Sequence, residues 1–165
     1  MATVAPGRPP RPLIVLASAP RVAVVEARFY DKLADTMVDG ATRELKRHGA
    51  AVERISVPGA FEIPGAIAIL SGGGDGARRF DGFVALGCVI RGETSHYDYV
   101  CGESARGLMD LTVRQRLAIG YGILTVENEE QAWARAAIDR GDKGGDSAYA
   151  CLAMVALRQQ AGLSR

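Results

Sequence analysis

Phe83-Val84-Ala85-Leu86-Gly87-Cys88-Val89-Ile90 runs without a break into Arg91-Gly92-Glu93-Thr94-Ser95-His96-Tyr97-Asp98-Tyr99. The first half carries no charge. A short, near-continuous apolar run of this kind predicts a parallel strand buried on both faces. The second half changes character at once, to arginine, glycine, hydroxyls and a histidine. Open α/β sheets bind ligands outside the carboxyl ends of their strands. The stretch therefore predicts both a central strand and a polar loop on a ligand rim.

Working outward, the same alternation of strand and helix repeats. Leu13-Ile14-Val15-Leu16-Ala17 and Val22-Ala23-Val24-Val25 are short apolar runs separated by Pro20. Leu33, Met37, Ala41 and Leu45 then share one helical face, and Gly49 suits the stop. Ala51 to Val57 predicts a further strand, ended by Pro58-Gly59. A short helix opening near Pro64 runs through Ile67, Ile69 and Leu70. Ser71 to Gly76 is a glycine-rich connector; it follows a helix and lacks the GK[ST] ending, so it is no phosphate loop.

After His96 a helix places Val100, Ser104, Leu108 and Leu111 on one face. Gly102 and Gly107 interrupt it and allow close approach of another backbone. Leu117 to Thr125 is another strand. Asn128 and Gln131 resemble a capping box opening a helix through Trp133, Ala136 and Ala137. Gly141 to Gly145 reads as a break, and Ala148 to Gln160 as a last helix with Tyr149, Leu152, Val155 and Ala156 inward. The order is β-β-α-β-α-β-α-β-α-α. It predicts an α/β fold, a three-layer sandwich around a parallel sheet. Four loops fall on its carboxyl rim: Glu26 to Tyr30, Val57 to Ile63, Cys88 to His96, and Thr125 to Asn128.

Composition removes several classes of function. The chain has 165 residues, 48% of them hydrophobic and 24% charged, with a formal net charge of +1. A balance so near neutrality gives no reason to expect nucleic acid or an anionic membrane as partner. No apolar stretch is long enough to span a bilayer. Three cysteines, Cys88, Cys101 and Cys151, form neither an even disulfide framework nor a CxxC metal site. They read as buried thiols of a reducing compartment, and the location expected is cytoplasmic. Residues 1–12, rich in Pro, Ala and Arg, read as a mobile tail ahead of a single domain over 13–165.

The rim loops hold the candidate chemistry. His96 is one of two histidines. A loop histidine is commonly satisfied by backbone; its place on the rim beside Thr94 favours proton transfer. Gly92-Glu93-Thr94 offers backbone N–H groups as an anion nest. Arg91 suits either phosphate or a structural ion pair. In Val57-Pro58-Gly59-Ala60-Phe61-Glu62-Ile63-Pro64, two prolines stiffen a loop that presents Phe61 and Glu62. These suit a planar, hydroxylated ligand, or else a core cap and a solvated acid. Phe29 on the neighbouring loop is a second stacking wall or a core residue. Arg135 is a helix-surface cation, and Lys143 sits in the glycine-rich break, where it either reaches a ligand or marks a loop tip.

Together ARFYD, VPGAFEIPGA, GFVALGCVIRGETSHYDYV, YGILTVENEEQAWARA and DKGGD, in order from about Ala27 to Asp146, resemble the lumazine synthase family. VPGAFEIP followed by VIRGxTxHxD is highly specific. The resemblance implies a flavodoxin-like α/β/α sandwich around a four-stranded parallel sheet, with an extra N-terminal strand, Leu13 to Ala17, pairing with a neighbour's sheet edge. It implies condensation of 5-amino-6-(D-ribitylamino)uracil with 3,4-dihydroxy-2-butanone 4-phosphate, without cofactor or metal. It also implies a homopentamer, in some members assembled further, with sites between subunits. On this resemblance His96 takes the proton-transfer position and Phe29 stacks on the uracil. Gly59, Ala60, Phe61 and Glu62 hold the ribityl chain, and Cys88, Val89 and Ile90 line the pyrimidine edge. Gly92, Glu93 and Thr94 bind phosphate, with Arg135 as charge partner. Tyr121 and Arg135 come from the neighbour, and Lys143 matches a site lysine. Cys88 stands where many members have threonine, and Tyr121 where phenylalanine is common. Two alternatives share the fold: the archaeal type of riboflavin synthase, and a flavin- or lumazine-binding protein without activity.

Overall fold

A computed structural model describes residues 9–72 and 79–163. The elements run β1 (Arg21–Ala27), α1 (Asp31–Arg47), β2 (Ala51–Val57), a 3-10 turn (Ala60–Glu62), α2 (Ile63–Ser71), β3 (Gly82–Ile90), α3 (His96–Arg114), β4 (Ile119–Val126), α4 (Glu129–Ala136) and α5 (Lys143–Gln160). The four strands form one parallel sheet in the order β2-β1-β3-β4. This is the expected α/β sandwich around a four-stranded parallel sheet.

Period-two alternation explains the layers. Val22 and Val24 of β1, with Val84 and Leu86 of β3, face Leu33, Met37 and Leu45 of α1 and Leu152 and Val155 of α5. Ala23, Val25, Phe83 and Ala85 face the other way, onto Ile63, Ile67, Val100 and Leu108 of α2 and α3. Burying a side chain of the size of Leu45 or Ile67 stabilises by roughly 1.5–3 kcal/mol. The two clusters hold the central strands from both sides.

The helix signals fall where expected. Gly49 takes φ +75° just beyond α1, where a side chain would be strained. Asn128 accepts from the Gln131 N–H at 2.9 Å, the first half of the capping box. The Gln131 side chain accepts at 3.0 Å from the N–H of Glu127, one residue before the cap.

Two expectations need correction, on the tail and on α5. Leu13 to Ala17, expected to pair with a neighbour's sheet edge, forms no strand within this chain. Its N–H groups bond side chains instead: Ile14 to His48 Nε2 at 3.1 Å and Ala17 to Gln159 Oε1 at 2.7 Å. The segment thus crosses α1 and α5, with Ile14 and Leu16 packed on the core and Leu13 and Val15 exposed. The expected tail is also too long. Residues 1–8 lie outside the described residues, but Arg11 is fixed by Glu44, Asp142 and Asp146 at 2.9–3.2 Å. Finally, α5 begins at Lys143 rather than Ala148. Gly144 and Gly145 are no break; a Cβ on Gly144 would lie 2.1 Å from the Met37 carbonyl oxygen, so glycine lets α5 touch α1. Of the connector Ser71 to Gly76, residues 73–76 lie outside the described residues.

A contrast between two glycines tests this packing. Gly144→Ala should lower stability by about 2 kcal/mol or more, because backbone must move. Gly102→Ala, with nothing within 4 Å of its Cβ position, should be neutral or gain up to ~1 kcal/mol of helix propensity. Urea midpoints of the two variants check the prediction.

Candidate functional site

A cleft of about 520 Å³ opens at the carboxyl ends of β1, β2 and β3. Its position follows from the strand order. The chain leaves β1 toward one face of the sheet and β3 toward the other, so their loops part.

Each wall is set by local sequence. From β1 come Phe29 and Tyr30, packed edge to face at 5.0 Å. Phe29 is 72% exposed although it is a large apolar ring. From β2 come Pro58, Gly59, Ala60, Phe61 and Glu62. Ala60 is buried and roots the turn, whereas Phe61 is 57% exposed. A Cβ on Gly59 would stand 3.1 Å from Glu62 Oε2, so glycine allows the carboxylate to fold back over the turn. Two exposed phenyl rings on one cleft mark a surface built for a ligand or partner.

From β3 come Cys88, Val89 and Ile90, then Gly92 and Thr94, and His96 at the first position of α3. Burial, and to a lesser degree nearby Cys101, pushes the Cys88 thiol up to about 11. At neutral pH it is a protonated, weakly polar wall. Burial likewise raises the hydroxyls of Tyr30 and Tyr97.

The two histidines have opposite fates. His48 is 1% exposed at its side chain. Its Nε2 accepts from the Ile14 N–H at 3.1 Å, and its Nδ1 lies 3.0 Å from the Glu44 carbonyl oxygen. Those two bonds fit the neutral tautomer protonated at Nδ1. It is a structural histidine. His96 is exposed, and its imidazole has no hydrogen-bond partner among the described residues; only its backbone N–H approaches Thr94 Oγ1, at 3.4 Å. The ring is therefore not a loop histidine satisfied by backbone.

Arg91 resolves as the structural option. Its guanidinium pairs with Glu127 at 2.9 Å and Asp98 at 3.3 Å and lies over the Tyr97 ring at 4.1 Å. It ties the loop after β3 to the loop after β4.

The remaining candidates lie outside this cleft. Glu93 is exposed on the β3 loop without lining it. Tyr121 stands on β4, 47% exposed. Arg135 on α4 donates to the Gln131 carbonyl at 3.0 Å. Lys143 opens α5 and pairs with Asp146 at 3.1 Å. The fold gathers the last two. Gly141 lies directly on the Arg135 backbone, where a Cβ would come within 2.7 Å, and Lys143 follows two positions later. The two residues are therefore close along the backbone, and neither lines the cleft.

The cleft also includes Tyr30, Pro58, Tyr97 and Val100, not chosen from sequence. Val100 was findable, because four residues after His96 on a helix is the same face. Among the described residues no group of three or more His, Cys, Asp or Glu side chains could hold a metal ion.

A parallel α/β sheet with a largely apolar cleft at its switch point, exposed phenyl rings on its walls and an imidazole on its lining has the form of a small-molecule enzyme of the sandwich class. Comparison with known proteins makes it particular. The family described as 6,7-dimethyl-8-ribityllumazine synthase matches residues 19–159. A 6,7-dimethyl-8-ribityllumazine synthase 1 of Rhizobium meliloti is 57% identical over 145 residues, 87% of this chain and 95% of that protein. The synthase of Agrobacterium fabrum is 54% identical over 146 residues, 88% of this chain and 99% of its own. That of Methylorubrum extorquens is 51% identical over 160 residues, 96% and 92% respectively. The chain belongs to the 6,7-dimethyl-8-ribityllumazine synthase family.

The cleft chemistry is testable at Cys88. With its thiol near 11, about one molecule in a thousand is thiolate at pH 8, against roughly a quarter for an ordinary cysteine. Iodoacetamide should label Cys88 on the order of 100-fold more slowly than an unstructured cysteine peptide, as read by mass spectrometry. Labelling at the peptide's rate would show that the thiol is not desolvated.

Proposed function

We infer that this chain condenses 5-amino-6-(D-ribitylamino)uracil with 3,4-dihydroxy-2-butanone 4-phosphate to 6,7-dimethyl-8-ribityllumazine, releasing phosphate and water in the penultimate step of riboflavin biosynthesis. The observation that carries the reading is the His96 imidazole, unpartnered among the described residues, in one cleft with the exposed Phe29 and Phe61 rings and with Gly92 and Thr94. Family membership supplies the substrates.

The chemistry asks for little beyond placement and proton movement. The aromatic amine attacks the ketone and water leaves. Phosphate is then eliminated, and the ribitylamino nitrogen closes the ring with loss of a second water. No step needs an external oxidant or reductant. Holding two reactants in attack geometry can supply about 7–11 kcal/mol of the barrier. In our reading Phe29 stacks on the uracil, and Cys88, Val89 and Ile90 line its edge. Gly59, Ala60 and Phe61 cradle the ribityl chain, whose hydroxyls donate to Glu62. Gly92, Glu93 and Thr94 receive the phosphate. His96, whose ring has no hydrogen-bond partner among the described residues, moves protons between amine, carbinol and leaving phosphate.

Tyr121, Arg135 and Lys143 then serve a neighbour's cleft. This places the site between subunits of a homo-oligomer, a pentamer or a larger assembly of pentamers. The cleft's exposed phenyl rings, the outward Leu13 and Val15, and two cations that do not line their own cleft support it. The exposed cations complement the one dianionic substrate. Among the described residues no helix is long and apolar enough to cross a membrane. Three unpaired cysteines support a cytoplasmic location.

The deciding measurement mixes the purified protein with both substrates and follows the fluorescent lumazine. Formation no faster than without protein, with the fold intact, overturns the assignment. His96→Ala should lower kcat on the order of 10²-fold, with orientation preserved and some turnover left. Loss of pyrimidine binding at unchanged kcat would contradict the proton-transfer role. Arg135→Ala should raise KM for the phosphorylated substrate on the order of 10-fold, with little change for the pyrimidine. Equal effects on both would remove Arg135 from the phosphate.

A further inference from the structure

Arg11 lies before the family match begins at residue 19, yet it is among the most heavily bonded side chains described. Its Nε and one terminal nitrogen donate to Asp146 Oδ1 at 3.1 and 2.9 Å. That same nitrogen donates to Asp142 Oδ2 at 2.9 Å and to the Asp142 carbonyl at 3.1 Å. The other terminal nitrogen meets Glu44 Oε2 at 3.2 Å. The guanidinium is 16% exposed. Pairs so shielded hold geometry far better than solvated ones.

All of this converges on one neighbour. Asp142 directly precedes Lys143, caps α5 by accepting from the Gly145 N–H at 3.2 Å, and is held at φ +43°, a left-handed conformation uncommon outside glycine. Arg11 grips both its carboxylate and its carbonyl. Asp146 is shared, with Oδ1 on Arg11 and Oδ2 on the Lys143 ammonium at 3.1 Å. We propose that Arg11 is a positioning residue for Lys143, fixing its backbone through Asp142 and keeping its ammonium half-exposed by occupying the other oxygen of Asp146. The proposal rests on the reading of Lys143 as a site residue.

The physical reason is charge balance. Glu44, Asp142 and Asp146 place three carboxylates in one patch. Without a fork-shaped cation between them, they draw the flexible ammonium inward. Lys143 then pairs with Asp146 through both oxygens and is withdrawn from any anion it serves. A guanidinium suits the place better than an ammonium, since one planar group must reach two aspartates and a glutamate together. The strap across α1 and α5 thereby tunes a cation of the site from outside it.

The test uses full-length protein and steady-state kinetics with each substrate varied in turn. Arg11→Gln should raise KM for the phosphorylated substrate about fivefold, leave KM for the neutral pyrimidine within about twofold, and keep most of kcat. Arg11→Lys, which keeps the charge but not the fork, should fall between that variant and the parent protein, and serves in its place if Arg11→Gln does not fold. Lys143→Ala should itself raise KM for the phosphorylated substrate, and adding Arg11→Gln to it should change nothing more. Equal KM effects on both substrates, or effects of the two substitutions that multiply, would show Arg11 to be merely structural and overturn the proposal. If Lys143→Ala leaves both KM values unchanged, the reading of Lys143 fails and the proposal falls with it.

Discussion

The parallel pairing of β1 with β3 is the constraint on which the rest depends. β2 lies on one side of β1, and β3 and β4 on the other. Crossovers between parallel strands are right-handed. A chain moving from β1 to β2 must therefore carry α1 on one face, and a chain moving back to β3 and on to β4 must carry α2 and α3 on the opposite face. The two clusters of buried side chains follow that division. Beyond β1 and β3 the chain leaves toward opposite faces and toward opposite edges of the sheet, so the loops at those strand ends part. The cleft is the space left there. Both faces of β1 and β3 must then be apolar, and they are, until Glu26 and the loop after Ile90.

That constraint explains which parts were legible in the sequence. β3 and its loop could be read because a strand buried on both faces is continuous in apolar residues and its end is abrupt. The rim loops followed from β–α alternation alone. His96 was separable from His48 only in part. Both are polar residues near the end of an element, and what distinguishes them is the N–H of Ile14, brought to His48 by a segment far earlier in the chain.

The errors have the same origin in long-range contact. Gly144 and Gly145 carry the local signature of a break, yet close contact with the Met37 carbonyl turns them into the first turn of α5. Leu13 to Ala17 is an apolar run of strand type, but inside one chain the N–H groups of Ile14 and Ala17 bond His48 and Gln159, contacts that strand propensity does not register. Tyr30 and Tyr97 escaped because each follows a more conspicuous neighbour, Phe29 and His96. Neither packing nor cleft lining is visible in residue type.

Glu26 shows how the scaffold and the site are coupled. It is a carboxylate with no exposed surface, on the last turnable positions of β1 before Phe29. One oxygen accepts from Arg54 at 2.9 Å and from Ser56 at 2.7 Å. The other has no hydrogen bond among the described residues and lies 3.5 Å from the Arg28 guanidinium. An under-bonded buried carboxylate oxygen is costly by itself. Here it anchors a chain of ions. Arg28 and Arg54 both reach Asp35 on α1, at 2.6 and 2.8 Å, and Arg28 also reaches Asp31 at 2.8 Å. Those two arginines hold the Asp35 carboxyl down at about 2, so Asp35 stays ionised across the neutral range. Arg28 immediately precedes Phe29, and its own N–H bonds the Val57 carbonyl at 2.9 Å. The loop is thus fixed at both its side chain and its backbone. A phenyl ring that is 72% exposed, with the edge contact to Tyr30 beside it, needs such a base to hold its place before a ligand arrives.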